Sequence, residues 1–130
     1  MAEKFVRFVT HDLDKVTGER IGFFKAAYAL RRSGSLTEDS HDRLSKLLDW
    51  FDGALEAPER FHRSSNPHAH GKGLSWFKPA AHEHIRKARE VLDILNRRGV
   101  QSEMLTTMRP GYILYEDDIQ VCAVPFKDGA

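Results

Sequence analysis

VQSEMLTTMRPGYILYEDDIQVCAV, residues Val100–Val124, is the stretch that decides the fold. Val100–Thr107 reads as a strand. Arg109-Pro110-Gly111-Tyr112 follows, with Pro and Gly at the two central positions that type II turns favour. Tyr112–Tyr115 and Ile119–Val124 are two further β-rich runs, and Glu116-Asp117-Asp118 between them is a hairpin signal. So many strands close together require a sheet, and the rest of the chain must supply what covers it.

Upstream, Lys4–Thr10 (KFVRFVT) is a first strand built of β-formers around a single charge, Arg7. Asp12–Gly18 is a polar turn. Glu19–Ser33 reads as a helix ending in Arg31-Arg32 with Gly34 behind them. Its apolar residues lie on two sides, Ile21, Phe24 and Tyr28 against Phe23, Ala27 and Leu30. Such a helix is either sandwiched or shows a face to a partner, here a homodimer through Ile21, Phe24 and Tyr28. A second helix starts at Thr37, whose hydroxyl can cap it, with Glu38 and Asp39 at the positive end of its dipole. Leu44, Leu47, Leu48, Phe51 and Leu55 are its buried stripe. Pro79 opens a third helix with Ala81, Ile85, Ala88, Leu92 and Leu95 inward and Gly99 at its end.

The order β-α-α-loop-α-β-β-β predicts an α/β (α+β) domain, a small mixed sheet of about four strands with three helices packed against it. If Lys4–Thr10 and Val100–Thr107 are parallel neighbours, the crossover between them is right-handed. The 130 residues fit one globular domain, 1–130, with a frayed tail at 127–130. With 41% apolar and 30% charged residues the chain is not a disordered polymer. Its net charge of +1 gives no global field towards nucleic acid or membrane. No apolar run approaches the roughly 20 residues of a membrane span, and MAEKFVRF is no export signal, so a cytoplasmic protein is expected. The single cysteine, Cys122, lies in an apolar run and reads as a small buried hydrophobe.

Between the second and third helices lies a long loop, residues 60–78. Its part His62–Lys78 (HRSSNPHAHGKGLSWFK) has no periodicity and no acid, and loops of this length tend to be functional. The charge is also segregated. Glu38–Glu59 holds seven acids and two bases, whereas Arg60–Arg98 holds nine bases and three acids. Arg63, Lys72, Lys78, Arg86 and Arg89, with Trp76 interleaved, are therefore candidates for gripping phosphates and stacking a base. The competing explanation is a solvated helix face paired with the acidic second helix.

Other candidates are local. His68, His70 and His82 are the candidate metal ligands, although His82 and His84 point about 200° apart on a helix and cannot share an ion. His84 falls within the apolar stripe and reads as a semi-buried histidine held by a backbone or acidic partner. Turn chemistry accounts for Asp117 and Asp118, which leaves Glu116 as a candidate base. Arg7 needs a carboxylate, with Glu103 or Glu116 in reach from a neighbouring strand, or else it lines an anion pocket. No nucleophile elbow and no phosphate loop is present, and no motif calls for a cofactor. Strand Lys4–Thr10, the helix ending at Gly34 and Ser75-Trp76-Phe77 leading into a helix give a layout similar to ADP-ribosyltransferase-like domains. Gln120 stands where their catalytic acid is sought, so no residue role is carried over.

The functional expectation is a non-enzymatic binding module. Through loop 60–78 and helix 79–98 it contacts an anionic partner, nucleic acid or an acidic protein surface. The alternative is a small hydrolase or transferase on a phosphate-bearing or nucleotide-like substrate, using His68, His70 and Glu116 with Arg7.

Overall fold

A computed structural model describes residues 4–15, 18, 20–55 and 74–126. Along the chain run β1 (Phe5–Leu13), β2 (Arg20–Gly22), α1 (Phe23–Arg32), α2 (Glu38–Ala54), β3 (Leu74–Phe77), α3 (His82–Arg97), β4 (Ser102–Thr107), β5 (Tyr112–Glu116) and β6 (Gln120–Val124). The class is α+β, three helices on a sheet that has six strands among the described residues. The two extra strands are short ones: β2 lies where the sequence reads as the start of the first helix, and β3 is the LSWF end of the long loop. Every strand pairing is antiparallel, so β1 and β4 are neighbours but not parallel ones.

β4 occupies one edge of β1 from Phe5 to Thr10. A strand has two edges, so β2 and β3 share the other: β3 meets Val6, and β2 meets Val9 and Leu13. β6 then pairs with β3, and β5 with β6. The outermost strands are thus β4 and β5, which the chain joins through only Met108, Arg109, Pro110 and Gly111. Pro and Gly make a sharp link there, but not a hairpin. Following the pairings, Tyr112 lies four strands from Thr107 and five residues higher in register. In a flat sheet the two Cα atoms would be about 25 Å apart. Five residue steps reach at most about 18 Å. The sheet must therefore coil.

Alternation of side chains gives its two faces separate roles. Val6, Phe8 and Phe77 point to the helices, where they join Phe23, Ala27, Leu30, Leu44, Leu48, Phe51, Ala88, Val91 and Leu95 in the core. Phenylalanine rings knit these layers together, Phe23 standing edge-on to Phe8 at 5.7 Å and to Phe51 at 5.8 Å. The two-sided first helix is accounted for internally. Ile21 belongs to β2, Phe24 stands edge-on to Phe51 of α2 at 5.0 Å, and the Arg31 guanidinium covers the Tyr28 ring. Thr37 caps α2 as read, accepting from the Ser40 N–H. α3 starts at His82, after a turn through Pro79 and Ala80. No helix among the described residues is long and apolar enough to cross a membrane.

Two glycine substitutions test this architecture. At Gly111, with φ of +130°, an added Cβ would lie 2.0 Å from the Val124 carbonyl oxygen. Gly111→Ala is expected to cost roughly 3 kcal/mol or more in urea unfolding. Gly53, inside α2 with nothing within 4 Å of its would-be Cβ, should behave oppositely. Gly53→Ala is expected to add about 0.5–1 kcal/mol.

Candidate functional site

The face turned away from the helices carries Phe5, Arg7 and Val9 of β1, facing Thr107, Leu105 and Glu103 of β4 across the ladder. From the other side come Leu74 and Trp76 of β3, which alternate with the core residue Phe77. Coiling brings these strands around a basin of about 270 Å³, which Arg109 and Pro110 of the link and Pro125 also line. Arg7, Arg20 and Arg109 all line it, and among its described lining residues there is no carboxylate.

Arg7 is half-buried, and its Nη1 donates to the Ser75 carbonyl at 3.2 Å. Gly22 lies beneath the guanidinium, where a Cβ would sit 3.5 Å from Nη2. Arg20 is answered by Glu103 at 2.7 Å and also donates from Nε to the Thr10 carbonyl. The hydrogen bond from Arg20, and then its charge, hold the Glu103 carboxyl below its usual range against a smaller opposing effect of desolvation. The Arg109 guanidinium lies 5.0 Å above the Phe126 ring. The Trp76 Nε1–H is buried and has no hydrogen-bond partner among the described residues. Buried polar groups are almost always bonded, which makes this enclosed donor an exception.

The structure separates the sequence's candidates. Trp76 lies in the basin wall, and Lys78, just beyond β3, pairs with Glu116 at 2.6 Å. By register Glu116 shares the face of Trp76, since both are paired with Val121. Arg86 pairs with Glu83 and Glu90 along α3, while Arg43 of α2 reaches Glu90 and Asp93. Arg89 donates to the Met104 sulfur, and Met104 stands opposite Phe8, on the helix side of the sheet. Trp76 and Arg89 therefore belong to opposite faces. Arg63, Lys72, His68 and His70 lie outside the described residues. His82 is exposed, whereas His84 turns inward, its Nε2 2.8 Å from the Ala54 carbonyl and its ring 4.8 Å from that of Trp50. No three His, Cys, Asp or Glu groups gather to hold a metal among the described residues.

Glu103 pairs with Arg20 and Glu116 with Lys78. Two basin residues, Arg109 and Leu105, have no local signal in the sequence. Only the coiling of the sheet brings the link and β4 to Trp76. The chain matches no protein-family model, no curated protein and no solved structure.

The hairpin tip needs no function. Asp117 accepts hydrogen bonds from the Tyr115 hydroxyl at 2.7 Å and from the Ile119 and Gln120 N–H groups at 2.8 and 2.9 Å. Partial burial raises its pKa, but these bonds together outweigh burial and hold it below the ordinary 3.8. A depressed carboxyl contributes stability that is complete above the unfolded value and is lost as pH falls through the folded one. Urea unfolding should show Asp117→Ala costing about 1 kcal/mol at pH 7, with the gap to wild type narrowing as pH falls below the ordinary 3.8. A gap that does not narrow in acid would place the effect elsewhere.

Proposed function

We propose that this chain is a non-enzymatic binding module for an anionic partner, and that the partner enters the basin on the helix-free face. One observation carries this reading: Arg7, Arg20 and Arg109 line a concavity whose described lining holds no acid. Arginine forks can only donate, so such a wall recognises acceptors, and charged ones best. The described lining offers donors and the Thr107 hydroxyl but no acid–base group to move a proton, which supports binding over a hydrolase or transferase reaction.

The basic face of α3 is the weaker candidate for the anion. Its cations Arg86 and Arg97 already have acids of the same helix, and α2 adds Arg43 to that network. This is how a solvated, dipolar helix pair neutralises itself, and exposed pairs of this kind are worth little individually.

Amide and indole chemical shifts, followed while inorganic phosphate, acetate and a ten-residue oligothymidylate are added in turn, test the reading. Shifts centred on Arg7, Trp76, Leu105 and Arg109 are expected. Shifts confined to Arg86 and Arg89, with the steep salt dependence of a polyanion, would move the site to α3 and contradict it.

A further inference from the structure

We infer that this chain pairs with a second copy of itself, the outer edge of β5 lying antiparallel to the same edge of the other copy about a two-fold axis beside Ile113. The inference goes beyond the anion-binding reading and does not depend on an occupied basin.

Exposure is the first argument. β5 pairs with β6 along one edge, and among the described residues no strand pairs with the other. Successive residues of a strand point to opposite faces. Tyr112 and Ile113 are 62% and 50% exposed, so the start of β5 is covered on neither face. Tyr112–Tyr115 (YILY) has no charge and no proline, and its composition favours pairing. Natural sheets guard such edges with lysines, prolines or bulges. Within β5 the guard is a bulge between Ile113 and Tyr115, which shortens the edge without charging it.

Charge is the second argument, and it selects a second copy as the occupant. Arg109, just before β5, is exposed and stacks on Phe126, whose ring meets that of Tyr112 at 4.7 Å. It has no carboxylate among the described residues. Past the other end of β5, Asp118 is exposed and has no cation among the described residues. Arg109 lies four residues before Ile113 and Asp118 five after it. An antiparallel pairing centred there brings each arginine beside the aspartate of the other copy. A parallel pairing would set arginine against arginine, and like charges facing each other across strands destabilise a sheet.

Closure is the third. A two-fold pairing uses the open β5 edge of both copies and stops at two, whereas β5 on the β4 edge of the next copy would propagate. β4 is also the poorer edge. Ser102, Glu103, Thr106 and Thr107 make it polar, Glu103 is held by Arg20, and the exposed Met104 already accepts from Arg89. One short strand from each copy makes a small interface, so the dimer belongs to the weak, reversible class.

The test uses the whole chain, in sedimentation equilibrium from dilute to concentrated solution at low salt, with backbone amide shifts followed over the same range. A reversible monomer–dimer equilibrium is expected, with shifts at Tyr112–Glu116 and none in β4 or α1. Ile113→Lys, which places a charge on the exposed edge, should weaken the dimer about tenfold or more. Arg109→Asp and Asp118→Arg should each weaken it severalfold, and the two together should restore it. A chain that stays monomeric at every concentration overturns the inference. So does a dimer that moves the amides of β4 or α1 instead, or a double variant that folds and does not recover. If Ile113→Lys does not fold, the wild-type dilution series decides: β5 amide shifts that do not change with concentration overturn the inference.

Discussion

Four residues, Met108 to Gly111, join the two outermost strands of the sheet, and the rest of the molecule is arranged around that constraint. A chain this short cannot span a flat five-strand path with the observed register, so the strands coil until β4 and β5 approach each other. Gly111 is indispensable to the link, because its backbone passes so close to Val124 that a methyl group has no room. Coiling makes one face of the sheet convex and the other concave. The convex face has the area to carry three helices, and the concave face becomes a basin.

The two faces divide the chemistry of the chain. On the helix side, phenylalanines of β1, α1, α2 and β3 interlock, and His84 is enclosed by Trp50, Phe51 and Phe77 with one nitrogen on the Ala54 carbonyl. Acids of α3 neutralise bases of α2 and α3 at the surface above them. On the basin side, Arg7 sits where the partner of β1 changes from β3 to β2, which leaves room beside the strand for a large side chain. An arginine in the middle of an otherwise apolar strand is costly unless it is bonded or serves an anion. Here it is bonded to Ser75 and also lines the basin.

Much of the fold was legible because periodicity is local. Leu44, Leu47, Leu48 and Phe51 announce α2, Thr37 announces its cap, and Asp117 announces the β5–β6 turn. What escaped was short or non-local. β2 has three residues, too few for any pattern, and Ile21 therefore read as part of a helix. β3 is four residues whose partners lie in β1 and β6, far away in sequence. The site was half legible: an arginine inside a strand and a tryptophan in a basic loop both attracted notice, but their meeting depends on strand order. Arg86 and Arg89 drew attention through charge counts, which cannot tell an open basic face from one neutralised by Glu83 and Glu90.

The central claim is that the shortness of the link shapes the basin, and lengthening it tests that claim directly. Inserting Gly-Ser-Gly between Met108 and Arg109 would free β4 from β5 without touching the helix-side core. The quantity to measure is the Trp76 Nε1–H resonance, compared with wild type in the absence of ligand. If the link holds the basin closed, the resonance moves towards that of a solvated indole and exchanges faster with water, while far-ultraviolet dichroism stays unchanged. An unmoved, slowly exchanging Trp76 N–H in the lengthened chain would contradict the account.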